Sequence, residues 1–217
     1  MATEFKNLPL IAPQQPRLLV APQEYERQYQ DQLNNVLRLY FNQLQNFNQL
    51  FTTNTGGALL QFPHGAFSSS VDQTTTANTA TLMTLNTTDF ANQISIASSK
   101  ITVAVAGTYN FQFSVQLENS NNAPQDVFIW LKQNGVDIVG STGKVGLPAR
   151  KNPGDPFHSI IGWNYFVNLS AGQYIELYWS TTSADVSIQY YPASGTPTKP
   201  STQSVVATMS FVSALYT

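Results

Sequence analysis

Gly107-Thr108-Tyr109-Asn110-Phe111-Gln112-Phe113-Ser114-Val115-Gln116-Leu117 decides the fold. From Tyr109 an apolar residue stands at every second position, with an uncharged polar residue between. That is the period of a β-strand with one face on a core and the other turned away. Working outward, Val127, Ile129 and Leu131 repeat the pattern. Asn134-Gly135 then favours a tight hairpin that returns the chain through Val136 and Ile138. Further strands are predicted over 160–169, 174–180, 186–190 and 205–212, with weaker signals at 80–85 and 101–105. Turns fall at Gly107, Ala171-Gly172 and Ser194-Gly195. Stretches 68–78 and 140–156 read as surface loops, and no fixed repeat appears. Residues 56–217 are therefore predicted to form one β-sandwich or jelly roll.

Upstream the period changes. Tyr25, Tyr29, Leu33, Val36, Tyr40, Leu44, Phe47 and Phe51 recur three or four residues apart, a mean step of about 3.7. This predicts a helix over 23–55, with Leu37, Leu39, Phe41 and Leu50 widening its apolar stripe. Pro22 suits the first turn, Glu24 and Glu26 suit the positive end of the dipole, and Asn54-Thr55-Gly56-Gly57 ends the pattern. Such a stripe needs cover. It either packs on its own sandwich or associates with helices of other copies in the manner of a coiled coil. The Gln- and Asn-rich flank, from Gln28 to Gln49, suits hydrogen bonding between helices.

Residues 1–22 hold Pro9, Pro13, Pro16 and Pro22, which favour an extended arm. Its apolar residues Phe5, Leu8, Leu10, Ile11, Leu18, Leu19 and Val20 need a dry partner. They pack on the chain's own domain or dock on a neighbouring protein.

Charged residues make up 10% of the 217-residue chain, against about 25% in ordinary proteins, and the formal net charge is −2. A surface of this kind offers no electrostatic footprint for nucleic acid or an anionic membrane and little repulsion between copies. Cysteine is absent, which excludes disulfides and thiolate metal sites. No apolar run approaches the ~20 residues that span a bilayer, and the start lacks a signal-peptide pattern. The chain is expected to be made in a cytoplasm and to stay off membranes.

Chemistry is sparse. His64 and His158 lie far apart, outside any zinc-binding spacing. Gly140-Ser141-Thr142-Gly143-Lys144 is not a phosphate loop, because Ile138 stands where the first glycine belongs and Val145 follows the lysine. Asp72, Asp89, Asp126, Asp137, Asp155 and Asp185 are isolated in sequence, although distant strands can still pair carboxylates as a glycosidase requires. Phe128, Trp130, Trp163, Tyr165, Tyr178, Trp179, Tyr190 and Tyr191 fill a core or interface, or else form a sugar-stacking platform. Trp130 shares a strand face with Phe128, opposite Ile129 and Leu131. No cofactor, metal or enzymatic activity is expected.

Val105-Ala106-Gly107-Thr108-Tyr109-Asn110-Phe111 resembles the Gly-x-Tyr-x-Phe strand of the C1q/tumour-necrosis-factor-like superfamily. Leu169-Ser170-Ala171-Gly172-Gln173-Tyr174-Ile175-Glu176-Leu177 resembles its Leu-x-x-Gly-Asp-x-Val-x-Leu segment, with Gln173 in place of Asp. Ser210-Phe211-Val212-Ser213-Ala214-Leu215-Tyr216 resembles its closing strand, with Ser213 where Gly is common. The resemblance implies a mainly β, C1q/TNF-like jelly roll that trimerises through aromatic sandwich faces, preceded here by the extended arm and one long α-helix. The segment from Pro22 to Gln43, with Ala106-Gly107-Thr108-Tyr109-Asn110-Phe111-Gln112-Phe113, also resembles virion structural proteins of tailed phages, especially marine and cyanobacterial ones. That implies a phage virion component.

The expectation is therefore a non-enzymatic homotrimer in a virion. Tyr25, Tyr29, Leu33, Val36, Tyr40, Leu44, Phe47 and Phe51 would form the trimer seam. The arm would dock on a major capsid protein or another virion protein, making the trimer a head decoration or cement protein. The alternative is a short tail fibre or glycan-binding receptor protein.

Overall fold

The alternation that begins at Gly107 runs to Asn119. Tyr109, Phe111, Val115 and Leu117 are at most 1% exposed, while the residues between them face away from the core. The computed structural model describes residues 16–18, 23–24, 26–52 (backbone only for 49–52) and 62–215. The chain divides into two units, Met1–Gln61 and Phe62–Thr217.

Eight principal strands build the second unit: β1 (His64–Ser69), β2 (Lys100–Val103), β3 (Gly107–Asn119), β4 (Gln125–Gln133), β5 (Gly143–Leu147), β6 (Phe157–Leu169), β7 (Tyr174–Thr181) and β8 (Val205–Ser213). One sheet runs Thr87–Asn92, β1, β8, β3, β6, and the facing sheet runs β5, β4, β7, β2, Ile94–Ala97. All these pairings are antiparallel. The chain crosses between sheets at nearly every connection and brings its last strand between its first and third. That is jelly-roll connectivity, so the unit is a mainly β sandwich as expected.

The core lies between the sheets. Phe67, Tyr109, Phe111 and Met209 face Ile101, Ile129, Leu131, Leu177 and Trp179 across it. Tyr109 brings a hydroxyl into this interior and donates it to the Val105 carbonyl at 2.7 Å. Burial pushes its pKa up to about 12. Gly107 explains why the strand begins as it does. A side chain there would sit 2.3 Å from the Phe211 ring and 2.9 Å from the Ser213 carbonyl oxygen. At the hairpin, Asn134 and Gly135 both have positive φ, 51° and 81°, as a tight turn between twisted strands requires.

The loop expected over 140–156 contains β5. Its sequence Gly-Lys-Val-Gly-Leu has little apolar alternation, but its backbone pairs with β4 from Gly143↔Ile129 to Leu147↔Gln125. Likewise Gln73–Thr74 forms a short strand inside the expected 68–78 loop. β1 and Thr87–Asn92 carry small and polar residues, and pairing rather than hydrophobic pattern makes them strands.

In the first unit the helix, α1, spans Arg27–Thr52. It begins about one turn later than Pro22 and Glu24 suggested. The Glu26 carbonyl accepts the Gln30 N–H at 3.2 Å, so Glu26 sits at the cap and no acidic residue lies in the first turn. The expected stop at 54–57 lies outside the described residues.

Two outcomes follow. Gly107→Val should cost about 1–3 kcal/mol of stability through overpacking against Phe211. In a thermal-melt cycle, the Gly107→Val/Phe211→Ala double variant should lose less than the sum of the singles; strict additivity would contradict the contact. Tyr109 is neutral in both folded and unfolded chains below pH 10, and above it the unfolded chain ionises first. Stability should therefore fall as pH rises from about 10 towards 12, and less so in Tyr109→Phe, measured by denaturant titration at each pH.

Candidate functional site: a charge-poor face of the sandwich

Because strand side chains alternate, the face of the first sheet that turns from the core is also set by β3. Its outward residues are Thr108, Asn110, Gln112, Ser114, Gln116 and Glu118. Beside them β6 presents Ile160, Asn164, Phe166 and Asn168, paired across as Asn164↔Gln112 and Phe166↔Asn110. On the other side β8 presents Thr208, Ser210 and Val212, and β1 presents His64 and Ala66. Side-chain hydrogen bonds tie neighbouring strands together, as Thr108 donates to Asn168 at 2.8 Å and Asn164 to Asn110 at 3.5 Å.

Two properties set this face apart. Its centre carries no charge. Glu118 and His158 lie at one end, where Tyr191 donates to Glu118 at 3.3 Å and meets His158 at 2.9 Å. Burial first, and then the neighbouring Glu118, push the Tyr191 pKa up to about 12. The face also exposes large apolar side chains: Ile160 (67%), Phe166 (63%), Phe90 (61%) and Val212 (51%). A shallow hollow of about 440 Å³ lies among Gln112, Phe113, Gly162, Trp163 and Asn164. Strand β6 pairs on one side only among the described strands, and a long edge with apolar side chains is normally covered. Chemically this is a surface for packing and amide hydrogen bonds.

Of the expected seam residues, Tyr29, Leu33, Val36, Tyr40, Leu44 and Phe47 line one stripe of α1, all half-buried, while Leu39 and Phe41 are 54% and 60% exposed. Tyr25 and the Phe51 side chain lie outside the described residues. So do Phe5, Leu8, Leu10, Ile11, Leu19 and Val20 of the arm; Leu18 is described and 56% exposed.

The aromatic set divides. Trp179 is fully buried, and Trp163 and Tyr165 face the core from β6. Phe128, Trp130 and Tyr178 stand on the outer face of the second sheet, with Trp130 beside Phe128 as the alternation required. Sequence reasoning missed Ile160, Phe166 and Phe90. The signal for two of them was the mixed parity of 157–169, where Ile160 and Phe166 break the alternation set by Ile161, Trp163 and Tyr165. Among the described residues no three His, Asp or Glu side chains cluster.

No family model matches the sequence, and no curated protein matches it. In fold the chain is similar to a solved structure titled "Structure of Eiger TNF from S. frugiperda", with a TM-score of 0.48 and 9% identity. The match covers 72% of this chain and 96% of that one.

A charge placed on a covered apolar surface opposes its burial. Ile160→Asp and Phe166→Asp should therefore lower the assembled mass on size-exclusion chromatography while leaving the melting of the sandwich nearly unchanged. Unchanged mass in both variants would show that the face is not a contact between copies.

Proposed function

We propose that this chain is a homotrimeric structural protein of a tailed-phage virion, mounted on the head as a decoration or cement protein. The observation that carries the reading is the charge-poor outer face of the first sheet with its exposed Ile160, Phe166 and Phe90. These apolar side chains are spread across the face from Thr87–Asn92 to β6, and a charge-poor copy of the same chain meets little repulsion in covering them. The resemblance of 105–111, 169–177 and 210–216 to the C1q/TNF-like superfamily supports three copies as the stoichiometry. The α1 stripe through Leu33, Val36, Tyr40 and Leu44 supplies a second apolar seam. The phage assignment rests on the resemblance of 22–43 and 106–113 to virion structural proteins.

In this reading the Pro-rich arm grips the major capsid protein and the sandwich faces outward. Burying the arm at junctions between capsid subunits holds the shell together, with weak salt dependence because few charges take part. No catalytic step belongs to this role. α1, with 26 residues, spans only ~39 Å, which favours grip over reach. A second reading, a short receptor-binding tail protein, is favoured by the aromatic shelf on the second sheet.

Leu33→Asp or Leu44→Asp should dissociate or aggregate the protein, since a charge would enter an apolar seam. A soluble assembly of unchanged mass would remove the helix from the interface. Copy number per virion separates the two placements. Hundreds of copies over the head support decoration, and a few dozen at the tail vertex support the receptor-binding reading. Deleting residues 2–20 should abolish capsid attachment and leave the trimer folded; decoration by the truncated protein would refute the role of the arm.

A further inference from the structure

The outer face of the second sheet differs from that of the first. Instead of amides it carries Phe128 and Trp130 on β4 and Tyr178 on β7. Trp130 pairs directly across from Tyr178, and their ring centroids lie 5.9 Å apart. The ends of this shelf are capped by cations: Lys132 lies 4.5 Å from the Tyr178 ring centre and Lys144 lies 5.6 Å from that of Phe128. Each lysine is paired, Lys132 with Asp137 at 3.4 Å and Lys144 with Asp126 at 2.8 Å.

Beside the shelf stands a wall formed by the turn from Asp137 to Thr142. Phe128 and Trp130 line one side of a shallow, open hollow of about 490 Å³ and this turn lines the other. That lies within the usual range for small-molecule sites, about 300–1,000 Å³. The wall is held from below. Ser141 is buried, and its hydroxyl accepts the Leu131 N–H at 3.0 Å. Its carbonyl accepts the Tyr165 hydroxyl, and the Ile138 N–H donates to the Leu131 carbonyl at 2.9 Å. The Trp130 indole is also fixed, donating Nε1–H to Asp137 Oδ1 at 2.7 Å. At the rim, Val139 is 99% exposed.

We propose that this hollow is a carbohydrate-binding site for neutral pyranose units, with Trp130 as the stacking platform. A sugar ring has an apolar C–H face and a rim of hydroxyls. The site offers the complement: a fixed aromatic plane beside Phe128, and around it the Asp137 carboxylate and the Thr142 hydroxyl. Charge narrows the ligand. Two lysines are matched by two aspartates, so no net positive field favours nucleic acid or a strongly anionic polymer. Size argues against a protein partner. A stable protein interface buries about 1,200–2,000 Å² in total, far more than two rings and one turn present. The inference uses the surface of one chain and does not depend on a place in the virion.

The test is full-length protein applied to an array of neutral gluco-, galacto-, manno- and N-acetylglucosamine oligosaccharides, with a single-stranded RNA oligonucleotide as a further probe. Wild type should bind at least one of the printed sugars, with competition by the same sugar free in solution. Trp130→Ala should weaken that binding by about tenfold or more, as loss of a central aromatic anchor does. Trp130→Phe should retain part of it, and Val71→Ala, in the bend after β1 and outside both proposed surfaces, should retain all of it. The melting temperature of each variant separates lost binding from lost folding, and Trp130→Phe keeps the test decisive should Trp130→Ala unfold. Absence of binding to every printed sugar would overturn the proposal. So would binding that survives the Trp130 changes, or Trp130-dependent binding of the RNA alone.

Discussion

The described β-unit depends on one constraint, the two-sided demand on strand β3. It is hydrogen-bonded to β6 along all 13 of its residues and to β8 along most of them. It therefore cannot shift by one residue without moving Tyr109, Phe111 and Leu117 out of the core and Asn110, Gln112 and Gln116 into it. The same register that seals the interior presents an amide-rich face on the other side. Gly107 marks where that register starts, because the Phe211 ring and the closing end of β8 fill the space a side chain would take.

From that constraint the two outer faces acquire different chemistry. The first sheet shows amides, small hydroxyls and exposed Ile160 and Phe166, with charge at the Glu118–His158 end and at Asp89, which accepts the Ser68 hydroxyl at 3.1 Å. The second sheet carries matched ion pairs around Phe128, Trp130 and Tyr178. A charge-poor surface is suited to contact with copies of itself, whereas one with a fixed indole and polar rim is suited to a small polar ligand. Assembly through the first sheet would leave the second available, so the two proposals are compatible in one molecule.

Much of the fold was legible in the sequence where burial alternates cleanly. β3, β4, the Asn134-Gly135 hairpin, β7 and β8 all follow period-two apolar patterns, and the helix follows its stripe. β5 and β1 were not legible, since Gly143-Lys144-Val145-Gly146-Leu147 and His64-Gly65-Ala66-Phe67-Ser68-Ser69 owe their conformation to partners distant in sequence. The start of α1 was misplaced because Pro22 and Glu24 suit a helix end, yet the hydrogen bond from Gln30 to Glu26 sets the first turn. Trp130 could be placed on an outer face from parity alone. Its approach to Tyr178 and Asp137 could not, because those contacts depend on sheet pairing and on the path of the 137–142 turn.

The central claim is that the charge-poor face of the first sheet, with the helix stripe, joins three copies of the chain. Sedimentation equilibrium of the full-length protein at micromolar concentration tests it most directly. The account predicts a single species at three times the 23.9 kDa chain mass, with little change between low and high salt because few charges take part. A stable, soluble species at 23.9 kDa would contradict it.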